Sequence, residues 1–216
     1  MNKKAIIFLF TIAPLFLFSQ TKGTVYLLPG QGADRRLFDS LTIDNNYKVK
    51  VVEYGTPSKE LNMQLFAKEI SKQIDTTEDY ILIGVSMGGM LCVELSEILN
   101  PTKTIIISSA KNNTELPKRY RFQKNIPVYK IVPGSVIKIG AKTLQPIVEP
   151  DRNNNEETFK SMLSSKSSTY MSRTVSLIIN WDRTVNNSEI IHIHGSNDHT
   201  IPLRNIKNPN KIVENG

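Results

Sequence analysis

One cysteine, Cys92, stands in a chain of 216 residues. A single thiol excludes an intramolecular disulfide, and with it a stapled scaffold or a cysteine-built zinc cluster. A chain of this length does not need staples, because it buries roughly 70% of its unfolded surface on folding. No run of five like charges occurs in the sequence, so a polybasic arm or an acidic tail is excluded, and nothing resembles a nucleic-acid module. No internal repeat is visible. With 39% hydrophobic and 22% charged residues, the composition is that of a globular protein rather than a disordered, collagen-like or coiled-coil chain. The length favours one domain carrying an insertion.

The longest uncharged apolar run is residues 5–18, AIIFLFTIAPLFLF, preceded by Lys3 and Lys4. A spanning helix needs about 20 apolar residues, and this run is shorter. A basic start, an apolar run and the small Ser19 read as a signal peptide over 1–19, hence an exported chain, periplasmic or secreted. An uncleaved N-terminal anchor is the alternative. No cysteine lies nearby for lipid attachment. Processing removes two of the lysines behind the net charge of +7, leaving about +5, which reads first as a solvated face. No stable membrane span is expected after processing.

From residue 24 onward, apolar β-runs alternate with helical patterns. TVYLLPG (24–30), YKVKVVEYG (47–55), YILIGVS (80–86), KTIIISSA (103–110), EIIHIHG (189–195) and KIVENG (211–216) read as strands. Continuous apolar runs such as 80–86 fit strands covered on both faces. Between them, Asp34 reads as the cap of a helix over 34–41. Thr56 and Pro57 read as the start of another that continues through Ile74, and Leu91, Leu95, Ile98 and Leu99 line a third. This alternation predicts an α/β fold with a doubly wound, mostly parallel sheet. Residues 111–187 break the rhythm and read as a mostly helical cap insertion, with one helical spacing from Thr158 to Trp181. The core is then 20–110 together with 188–216.

The sharpest chemical signal is G-V-S-M-G, Gly84 to Gly88. A serine on a sharp strand-to-helix turn has its hydroxyl exposed, and flanking glycines permit the close backbone approach. The helix that follows points its positive end at any negative charge forming there. A glycine-rich βα turn without chemistry is the other reading. The second signal is P-G-Q-G, Pro29 to Gly32, after the first strand. Such a loop turns backbone N–H groups inward, and a tetrahedral intermediate needs two of them. The amides of Gln31 and Met87 are the candidates. A nucleotide loop fits less well, since the third glycine and a G-K-[ST] are missing. The third signal is H-G-S-N-D-H-T-I-P, His194 to Pro202, which sets Asp198 just past a strand. Glu53 and Asp182 are acids in less favourable places.

Together GVSMGG, PGQG and HGSNDHTIP resemble the α/β-hydrolase family, across about residues 24–216. The resemblance implies the α/β-hydrolase fold and a carboxylesterase-like serine hydrolase that cleaves carboxylic-ester or related acyl bonds through an acyl-enzyme, with thioester, amide and other bonds left open. Ser86 would attack the acyl carbon and Asp198 would orient a histidine. No metal or organic cofactor is implied, and the partner is a small-molecule acyl substrate. Val128, Ile131 and Val136 would line the cap, and oligomeric state does not follow.

The sequence departs from the family at the histidine. The resemblance puts it one or two residues past strand 211–216, beyond Gly216, so the expectation is a truncated chain and a weak catalyst. The three histidines present are His192, His194 and His199. The first two would share one strand face and read as polar packing. His199 adjoins Asp198, and adjacency alone does not set it against Ser86. A non-catalytic binding protein of the same fold, or an inactive fragment, is the second hypothesis. Cys92 and Trp181 read as packed core.

Overall fold

Six apolar segments pair side by side into one parallel sheet in the computed structural model, which describes residues 22–125, 132, 135, 136 and 156–216. The strands are β1 (Thr24–Leu28), β2 (Lys48–Val51), β3 (Tyr80–Val85), β4 (Lys103–Ile107), β5 (Ile191–Gly195) and β6 (Lys211–Val213). Their spatial order is β2-β1-β3-β4-β5-β6. Leu28 pairs with Gly84, Val85 with Ile107, Ile107 with Ile193, and Gly195 with Val213. Because every strand runs the same way, the loops leaving their carboxyl ends gather on one edge. The chain goes from β1 outward to β2, then crosses back to β3. That reversal between β1 and β3 is a switch point, where open α/β sheets form a crevice.

Two helices close one sheet face. They are α1 (Met63–Ile70) and α2 (Met87–Ile98), and both pack into a core with Tyr26, Leu28, Leu82 and Ile106. The opposite face carries Val25, Leu27 and Phe38. Farther along that face, Ile81, Ile83, Val85, Ile105, Ile107, Ile191 and Ile193 are only half-buried among the described residues. Between β4 and β5 lie α3 (Lys118–Asn125), α4 (Glu156–Ser165) and α5 (Ser168–Asn180).

Three elements differ from the sequence expectation. The 34–41 helix is a 3-10 turn over Arg35–Phe38, with Asp34 as its cap. The helix expected from Thr56 starts at Met63 instead. Asn62 Oδ1 accepts from the Leu65 N–H at 2.8 Å and caps it there. The buried stripe Met63, Phe66, Ala67 and Ile70 begins at the same place, so packing overrides the Thr-Pro signal. The single spacing from 158 to 181 is two helices. Ser167 Oγ accepts from the Tyr170 N–H at 3.0 Å, which opens a new N-terminus. Serines compete for local backbone bonds in this way. The run 1–19, Val128 and Ile131 lie outside the described residues, and Val136 is exposed.

Candidate active site

Strand β3 ends at Val85 and α2 begins at Met87, so one residue makes the whole turn. That residue is Ser86, at φ 53°, ψ −122°. A side chain at positive φ is strained, at a cost of order 1–3 kcal/mol, and persists only where its surroundings hold it. Here they do. The Ser86 N–H donates to Ile107 O at 3.0 Å, and Ser86 O accepts from the Gly89 N–H at 2.9 Å and from Ser109 Oγ at 2.7 Å. Among the described residues, no protein group is hydrogen-bonded to the Ser86 hydroxyl, and the residue is half-exposed.

Glycines let the turn close. A Cβ on Gly84 would fall 2.3 Å from Gly88 O, and one on Gly88 would fall 2.0 Å from Leu28 O. The first turn of α2 therefore lies directly on the end of β1. The loop leaving β1 comes equally near: a Cβ on Gly30 would sit 3.3 Å from Ser86 Cβ and 3.9 Å from its hydroxyl oxygen. Gly30, Gln31, Ser86 and Met87 thus form one cluster. Met87 is the first residue of α2, where an N–H has no acceptor within the helix.

The loop is held from above and below. Gln31 Nε2 donates to Thr174 Oγ1 at 2.8 Å and to Met171 O at 3.3 Å, which ties it to α5. Below, the Tyr54 hydroxyl donates to Pro29 O. Gly32, at φ 80°, sits so close to α4 that a Cβ would be 2.9 Å from Leu163 Cδ1. Tyr170, buried beside this loop, has its phenol pushed up to about 12 by burial. Burial also pushes the Cys92 thiol well up, which leaves it protonated and unreactive.

Asp198 stands in the turn after β5. Its Oδ1 accepts from the Thr200 and Ile201 N–H groups, each at 2.8 Å, and Oδ2 is 3.4 Å from His194 Nε2. By register Ser86 neighbours Ser108, and Ser108 neighbours His194, so Asp198 occupies the same sheet edge two strands from Ser86. His199 is exposed. His192 and His194 are fully buried and touch each other. Sequence reasoning missed that contact, although the i, i+2 spacing on a strand is its signal. Glu94 was also missed; it is buried in α2 and binds Trp181 and Arg183. An acid flanked by Val93 and Leu95 on a largely apolar helix could have flagged it. Among the described residues, no cluster of His, Cys, Asp or Glu could hold a metal ion, and no helix is long and apolar enough to cross a membrane.

No protein-family model and no curated protein matches the sequence. Solved structures do match. The chain is similar to a hydrolase from Pseudomonas aeruginosa PA01 at 14% identity, with a TM-score of 0.65 over 89% of this chain and 81% of that one. It is similar to MenH from S. aureus at 13% identity, with a TM-score of 0.67 over 90% and 85%. A thermophilic esterase from Thermogutta terrifontis is 15% identical, with a TM-score of 0.61 over 90% and 82%. The fold is the α/β-hydrolase fold.

Proposed function

We propose that the chain is an exported serine hydrolase that cleaves carboxylic-ester or related acyl bonds through an acyl-enzyme. The observation that carries this is Ser86. It is a non-glycine residue held at φ 53° between β3 and α2, with the Gly30 loop against it and, among the described residues, no protein group hydrogen-bonded to its hydroxyl. Strain of this kind marks sites where the backbone is fixed for function. The solved hydrolase and esterase of the same fold add weight to the reading.

In this mechanism a histidine oriented by Asp198 takes the proton from Ser86 Oγ as Oγ bonds to the acyl carbon. The carbonyl oxygen becomes an oxyanion between the Gln31 and Met87 N–H groups, at the positive end of α2. The carbon–oxygen bond to the alcohol then breaks, and the histidine returns its proton to the leaving oxygen. Water repeats the sequence in reverse and frees the acid. Strand β6 brings Gly216 against the acid loop. The Asn197 N–H, one residue before Asp198, donates to Gly216 O at 2.8 Å.

A fluorophosphonate probe tests the assignment, since an activated serine hydroxyl attacks its phosphorus, displaces fluoride and is left phosphonylated. The expected result is one labelled site, lost in Ser86→Ala with the fold intact by circular dichroism. Equal labelling of the variant refutes the nucleophile.

A further inference from the structure

Ser109 stands just past β4 and is fully buried. Its Oγ donates to Ser86 O at 2.7 Å. That carbonyl is already served from within α2. It accepts from the Gly89 N–H at 2.9 Å and the Met90 N–H at 3.2 Å, as the carbonyl that opens a helix does. Without Ser109 it would still have its partners.

The chain bends to make this further bond. Side chains alternate along a strand. Ile106 is buried in the core with α2, and Ile107 lies half-buried on the opposite face. A straight continuation would send Ser109 to the face of Ile107. Ser108 breaks the alternation at φ 45°, a conformation uncommon for a residue with a side chain, while its N–H donates to Ile193 O at 3.0 Å. Ser109 thereby meets α2. Gly89 leaves the room, since a Cβ there would fall 2.4 Å from Ser109 Oγ.

The carbonyl that Ser109 holds belongs to the peptide joining Ser86 to Met87. The other end of that peptide is the Met87 N–H, the first of α2, which has no acceptor inside the helix. A peptide unit is planar, with C=O and N–H pointing opposite ways. A group that fixes the oxygen therefore fixes the line of the N–H. Donation to the oxygen also polarises the unit and strengthens its N–H as a donor. The Gly89 and Met90 bonds belong to α2 and move with it, whereas the Ser109 bond ties the peptide to the end of β4.

We propose that Ser109 is a positioning residue that aims and strengthens the Met87 N–H for the oxyanion. The proposal rests on the reading of Ser86 as nucleophile and of Met87 N–H as an oxyanion donor.

NMR reads the bond. Ser-Met pairs occur only at 86–87 and 161–162, so protein carrying carbonyl-13C serine and 15N methionine gives two carbonyl–amide peaks. Ser161→Thr removes the second and assigns both. In Ser109→Ala the Ser86 carbonyl should move to lower chemical shift, as a carbonyl does on losing a donor, and the Ser161 carbonyl should stay. Fluorophosphonate labelling reads the chemistry. Ser86 Oγ bonds to phosphorus, its proton passes to the base, fluoride leaves, and the phosphoryl oxygen carries the developing charge. The rate at saturating probe should fall about 3–10-fold, the worth of one hydrogen bond felt in the transition state, with the half-saturating concentration unchanged. A serine with only a structural role would lower the melting temperature and leave that rate, measured on folded protein, where it was. Ser109→Cys keeps a weaker donor and should fall between wild type and alanine in both readouts; it carries the test by itself if the alanine variant does not fold. An unmoved Ser86 carbonyl or an unchanged maximal rate overturns the proposal, while Ser86-dependent labelling of the wild type leaves the hydrolase reading standing. A wild type that does not label at Ser86 removes the hydrolase reading and, with it, the role given to Ser109, whatever the carbonyl shows.

Discussion

Glu94→Ala should destabilise the protein by about 3 kcal/mol. Glu94 is 2% exposed, yet its carboxylate accepts from Trp181 Nε1 at 2.6 Å, Arg183 Nε at 2.8 Å and Arg183 Nη2 at 2.7 Å. These bonds fasten the segment returning from α5 onto α2. Removing one partner of a buried ion pair costs about 3–5 kcal/mol, because the other charge is left uncompensated. The low end applies here. Arg183 is 16% exposed and keeps Glu97 Oε2 at 3.4 Å and Val185 O at 3.1 Å. In a chain of this size each kcal/mol moves Tm by about 2–4 °C, so the expected drop is about 6–12 °C. Urea unfolding followed by tryptophan fluorescence measures it, and Trp181 is the only tryptophan in the sequence. The Glu94→Met, Arg183→Met double variant should recover part of the loss, since it leaves no unpaired charge. A loss below about 1 kcal/mol, or a double variant as costly as the two single losses added, refutes the reasoning.

Gly88→Ala should cost about 1–3 kcal/mol and abolish probe labelling of Ser86, because the new Cβ meets Leu28 O at 2.0 Å; thermal melts and labelling of the same sample check both. Gln31→Ala removes the bonds to Thr174 and Met171 and should slow labelling while lowering stability by about 1 kcal/mol. The Tyr170 phenol, raised from 10 to about 12, stays protonated in the native state after the unfolded chain has ionised. Its contribution is complete below pH 10 and is lost as pH rises toward 12. Phenolate absorbance should show a late-titrating tyrosine that disappears in Tyr170→Phe.

Much of the fold was legible because buried parallel strands leave uninterrupted apolar runs. The segments 80–86, 103–110 and 189–195 each contain a strand where the run predicted one. Ser86 was legible because a G-x-S-x-G between such a strand and an apolar helix has few geometries open to it. Helix starts were less legible. Thr56-Pro57 carries a sound local cap signal, yet α1 waits for Asn62, where the buried face begins. The serine-rich stretch at 164–168 hid the break between α4 and α5, since its apolar spacing continues across it.

The sequence by itself determined the strands, the turn at Ser86 and the glycines that let it close, because these depend on local patterning and on which residues tolerate a tight bend. Only the tertiary structure decided that Gly30 would stand against Ser86, that Glu94 would hold Trp181 and Arg183, and that buried His194 would lie between His192 and Asp198. Those contacts join residues far apart in the chain, or side chains brought together only where a strand folds back on its own loop. Neither relation leaves a periodicity in the sequence.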